Sequence, residues 1–175
     1  MHQINVLTFS ELGTNDQKKQ REHIRSMLMD SVDLSCEVDY LKDGLQGIGF
    51  YNVEIRYSLG CGQGDGASFI GKIKEADAAK AINAPISKYA YENVITIKSI
   101  DSRYSHSRTV VCESDDVTEE FLEKFNQWRI EKCNDIYQSL IDYWEGAYND
   151  EAIDCWIADC EPTYVINNRG NAIQL

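Results

Sequence analysis

A chain of 175 residues with 43% hydrophobic and 10% aromatic residues is long and apolar enough to bury a core, which excludes a disordered polypeptide. It holds no run of about 18 apolar residues, which excludes a helical membrane span, and residues 1–5 lack the basic and apolar regions of a secretory signal, so a cytosolic setting is expected. The formal net charge of −12 is one-sided: residues 113–161 hold 15 acidic and 3 basic residues, against 14 and 13 in residues 1–112, which disfavours direct nucleic-acid binding and suits a partner with a basic surface.

In chain order, residues 4–9 read as a short strand or an extended lead-in. Thr14, with Gln17 three positions on, has the form of a capping box and predicts a helix over 16–29, Ile24 and Leu28 facing inward. Residues 31–48 leave strand and helix open, with a helical turn suggested at 40–45. The pattern sharpens at Val53, Ile55, Tyr57 and Leu59, which alternate with Glu54, Arg56 and Ser58 as in a half-buried strand. A second strand over 67–73 makes the pair a hairpin. An Ala-rich helix over 75–82 stops before Pro85, and β-branched residues predict a third strand over 93–100. A fourth is predicted over 108–112.

The longest helix is predicted over 117–145, with Asp116 and Glu119 as a cap and Phe121, Phe125, Trp128, Cys133, Ile136, Leu140 and Trp144 as its inward stripe. A last helix is expected over 150–160, a short strand over 163–166, and a turn at 167–170. Helices flanking hairpin-like strands define an α+β class: a single domain over 1–175 with an antiparallel sheet of about four strands covered by helices. The six cysteines include no Cys-x-x-Cys pair and are expected as free thiols, several in the core; no metal site or cofactor is expected.

The densest concentration of glycine joins the first two strands of the hairpin: Gly60-Cys61-Gly62-Gln63-Gly64-Asp65-Gly66-Ala67-Ser68-Phe69. Glycine permits positive φ and close backbone approach, so this is a shaped loop carrying Gln63, Asp65 and Ser68. No lysine follows as in a P-loop, and no helix follows as in a dinucleotide fingerprint. The segment Gln63–Phe69, then Tyr104-Ser105-His106-Ser107, then Trp128 with Tyr137, Tyr143 and Trp144, resembles a group of small proteins from bacteriophages, prophages and plasmids, some labelled antitoxins of toxin–antitoxin systems. Gly62 stands where that group usually has serine. The resemblance implies a mobile-element origin and a cytoplasmic setting.

Two site readings follow. The acidic run Glu113, Asp115, Asp116, Glu119, Glu120 and Glu123 is either a solvated helix start or a face for a bacterial host protein with a basic surface. Gln63, Gly64, Asp65, Gly66 and Ser68, with Tyr104, His106 and Arg108 on one face of an extended segment, are either a tight connection or a ligand site. In its catalytic form His106 is a general base oriented by Asp65, and Cys61 a nucleophile. The first reading describes a non-enzymatic binding protein, the second a small enzyme or ligand-binding protein. Self-association through exposed aromatic residues is a third alternative.

Overall fold

A computed structural model describes residues 6–60, 64–100, 105–167 and 169–175. It is α+β, as expected, with a four-stranded antiparallel sheet and a long helix in the C-terminal half. The chain divides into two compact units, residues 34–142 and residues 1–33 with 143–175.

The larger unit carries the sheet. Helix α2 (Ser35–Ile48) fills the stretch that the sequence left open. It ends on Gly49 at φ 115°, where the Phe50 amide donates to the Leu45 carbonyl at 3.1 Å and the Gly49 amide to Gln46 at 2.9 Å, so the glycine closes the helix in a left-handed turn. A Cβ at Gly49 would stand 2.8 Å from that of Asp77, which adds a steric demand for glycine. Strand β2 (Tyr51–Ser58) then pairs with β3 (Gly66–Lys74), with a register shift between Tyr51 and Glu54 where Asn52 takes φ 55°. Next come α3 (Glu75–Ala81), β4 (Val94–Ser99) and β5 (Val110–Glu113), giving the sheet order β2-β3-β4-β5.

Strand β3 is central and largely buried, with Phe69 and Ile73 fully so. Helix α4 (Glu119–Gly146) contributes Phe125, Cys133, Ile136 and Leu140 to the same core. Phe50 stands edge-on to Phe69 at 5.3 Å, and Phe125 stacks on Trp128 at 5.4 Å. Each such ring pair adds about 1 kcal/mol to the area it buries. The Ser139 hydroxyl donates to Glu37 at 2.6 Å and joins α4 to α2. The cap of α4 differs from expectation: Thr118, not Asp116, accepts the Phe121 amide through its side chain. That leaves the Asp116 side chain outside the helix.

The smaller unit pairs β1 (Val6–Thr8), β6 (Thr163–Ile166) and β7 (Ala172–Gln174) in the order β1-β6-β7. Helix α1 (Thr14–Ser31) starts one residue earlier than a Thr14 cap allows: Gly13 is the cap, and Gln17 donates instead to the Leu12 carbonyl at 3.0 Å. Arg21 and Arg25 of α1 pair with Asp154 and Asp150 of α5 (Asp150–Cys160), each at 2.5 Å. Asn149 caps α5 by accepting the Ala152 amide at 2.9 Å. Among the described residues no helix is long and apolar enough to cross a membrane, and no group of side chains could hold a metal ion.

Candidate functional site

The two regions singled out by the sequence are built differently. At the glycine-rich corner, Cys61, Gln63 and Tyr104 lie outside the described residues. Gly64 takes φ 111°, and Gly66 opens β3 opposite Ser58. Asp65 is half-buried and accepts the Ser58 hydroxyl at 3.3 Å. A Cβ on Gly66 would stand 2.7 Å from the Cβ and 3.1 Å from the Cα of His106, so these two backbones meet where only glycine fits. The fold thus sets His106 against the neighbour of Asp65. Ser68, two residues further along β3, is buried.

His106 and Arg108 do not share the face of an extended strand. Residues Ser107–Thr109 form a 3-10 turn, and β5 begins only at Val110. His106 caps that turn: its Nδ1 accepts the Arg108 amide at 3.2 Å, and its carbonyl accepts the Thr109 hydroxyl at 2.8 Å. Arg108 points outward and is exposed.

A residue that sequence reasoning missed secures this corner. Arg129 is only 1% exposed, on the inward stripe of α4 between Phe125 and Cys133. Its Nη1 donates to the Ser107 carbonyl at 2.7 Å, while Nε and Nη2 donate to Asn126 Oδ1 at 3.0 and 2.8 Å. No carboxylate pairs with it among the described residues; neutral acceptors satisfy it. The signal was its position, four residues from both Phe125 and Cys133 on a stripe that must be buried. Cys112 lies within reach of this guanidinium, yet burial pushes its thiol up to about 11, and burial also raises Cys133. Both are poor nucleophiles at neutral pH. The described cysteines are free thiols, as expected, but only Cys133 is fully buried; Cys36, Cys155 and Cys160 are exposed.

The acidic edge lies where β5 runs into α4. Glu113 is paired to Lys98 at 2.5 Å, and Glu120 to Lys124 at 2.8 Å, which holds the Glu120 carboxyl below its ordinary range. Asp115, Asp116, Glu119 and Glu123 are exposed and have no ion-pair partner among the described residues. Two clefts flank the connecting loop. One, of about 430 Å³, is lined by Glu92, Thr96, Lys98, Glu113, Asp115 and Asp116. The other, also about 430 Å³, lies between the 84–93 segment and the start of α4; Glu75, Tyr89, Asn93, Asp116, Glu120 and Phe121 line it. Tyr89 and Tyr91 beside it are 58% and 67% exposed. This edge combines carboxylates that have no ion-pair partner among the described residues with exposed aromatic surface.

No protein-family model, curated protein or solved structure matches the chain.

Proposed function

We propose that this is a cytosolic binding protein of a bacteriophage or mobile element that inhibits or neutralises a bacterial protein, meeting a basic surface of that protein with its acidic 113–161 region. One observation carries the reading: Asp115, Asp116, Glu119 and Glu123 stand exposed and have no ion-pair partner among the described residues, Asp115 and Asp116 line clefts beside them, and exposed tyrosines border the same edge. Uncompensated carboxylates repel one another and cost the fold a little stability, so their grouping makes sense as a surface completed by a cationic partner. Among the described residues of the glycine-rich corner, the hydrogen bonds of His106 and Arg129 secure a turn.

The test is capture of bacterial proteins on the immobilised chain at low and at high salt, with identification by mass spectrometry. The reading requires a basic protein that is retained at low salt and released at high salt. Replacing Asp115, Asp116, Glu119 and Glu120 together by Lys must then weaken its binding at least about 100-fold. Unchanged affinity in that variant removes the reading.

A further inference from the structure

The cleft between the 84–93 segment and the start of α4 carries more than the charge of its rim. Its lining includes Glu75, whose side chain is 95% withdrawn from water (5% exposed) although it bears a carboxylate. Oε2 of that carboxylate accepts the Asn93 amide at 2.7 Å, and the same amide nitrogen donates to the Asp116 carbonyl at 3.2 Å. Asp116 and Glu120 add two carboxylates at the mouth, and one cation, Lys124, is held by Glu120. Phe121 on α4 and Tyr89 on the opposite segment supply aromatic surface.

This lining selects among occupants. Three carboxylates against the ammonium of Lys124, with that of Lys88 at the Tyr89 ring, leave the cleft net negative and disfavour an anion. A wholly apolar occupant would desolvate the exposed Asp116 carboxylate without giving it a donor. A cation with an apolar stem satisfies both kinds of lining. The ring of Tyr89 already receives a cation, with Lys88 Nζ 5.2 Å from its centroid. Among cationic side chains, arginine presents a planar head that stacks on aromatic rings while forking onto carboxylates, and it keeps its charge when removed from water. The exposed neighbours Ile86 and Tyr91 extend apolar contact beyond the cleft, which suits a polypeptide rather than a small free cation.

We infer that this cleft is the specificity pocket of the acidic edge and takes an arginine side chain from a basic segment of the partner protein. The inference rests on the acidic-edge reading and adds to it a fixed site and a preference for arginine over lysine. The probes are an oligo-arginine and an oligo-lysine peptide of equal length, titrated by fluorescence anisotropy against the full chain at low salt. The arginine peptide should bind at least about 5-fold tighter. Ser87→Trp fills the cleft and Tyr89→Ala strips its wall, and neither alters the charge. Each should weaken the arginine peptide about 10-fold and erase the preference. Glu119→Lys with Glu123→Lys, outside the cleft, should weaken both peptides alike. If the two cleft variants bind as the parent does while the charge variant fails, the pocket is overturned and the acidic edge stands. If the charge variant also binds as the parent does, or neither peptide binds the parent, the edge reading falls and the pocket with it. Should Ser87→Trp fail to fold, Tyr89→Ala decides, since that side chain is mostly exposed.

Discussion

The corner at Gly66 and the edge at 113–123 are both polar, close together in sequence to strands of one sheet, and equally suggestive of function when read as sequence. Their structures differ in where the polar groups point. Among the described residues of the corner, His106 caps a turn, Arg129 grips that turn from the helix beneath, and Gly66 lets two backbones touch. At the edge the carboxylates of Asp115, Asp116, Glu119 and Glu123 point to solvent without ion partners among the described residues. A polar residue bonded within the chain fixes a shape, whereas one exposed to water is free to meet a partner without cost to the fold.

The contrast breaks most sharply at Arg129. Arg129→Ala removes the hydrogen bond to the Ser107 carbonyl and leaves a cavity; a loss of about 4 kcal/mol in urea unfolding is expected, with Arg129→Met recovering about half of it. A loss under about 1 kcal/mol would mean that the corner does not depend on this contact. Gly66→Ala drives a methyl group against the main chain at His106 and should cost about 3 kcal/mol. A double-mutant cycle with His106→Gly should return part of that cost, because the nearest clashing atom is then gone.

Stability should also depend on alkali through the core beside Arg129. The Cys112 thiol is raised from 9.0 to about 11 in the folded protein, so the unfolded chain loses this proton first. The stabilisation is complete below about pH 9 and is lost as pH rises towards 11, a fall of about 2 kcal/mol. Cys133 acts in the same direction. Denaturation series between pH 8 and 10.5 should show the fall, and Cys112→Val should flatten most of it. The smallest effect on stability belongs to the edge. The fourfold Lys replacement of Asp115, Asp116, Glu119 and Glu120 should leave Tm within about 2 °C of the parent while removing partner binding. A large drop in Tm would place those carboxylates among the fold-making groups and erase the contrast.

The sequence made some of this legible for physical reasons. Alternation at Val53–Leu59 and β-branched density at 94–97 mark strands whose pairing is local, so the four-stranded sheet could be read directly. The stripe on α4 was equally plain. Helix α2 was hidden because Gly44 and Gly47 interrupt it; both open onto space where a Cβ would touch nothing, so the helix tolerates them at a cost in propensity alone. The sheet β1-β6-β7 was hidden by distance and brevity. Val6 pairs with Val165, and strands of three or four residues show no usable period. The acidic edge was visible as composition, but its clefts join residues 75–93 to 116–124 and residues 92–98 to 113–116, and exist only in the folded chain. Arg129 was overlooked because a charged residue on an apolar stripe reads as surface until its acceptors are seen.

Asn93 holds the loop between β5 and α4 by donating to the main-chain carbonyl of Asp116, not to its carboxylate, and the amide of Asp116 leans on the Ser114 hydroxyl. The path of the loop is therefore written in positions 93 and 114, while the side chains at 115 and 116, and at 119 where α4 begins, are passengers on it. Those passengers can be exchanged one at a time without refolding the loop. Variation should accordingly run fastest at 115, 116 and 119 and slowest at 93, so that the molecule keeps its frame while its face is rewritten.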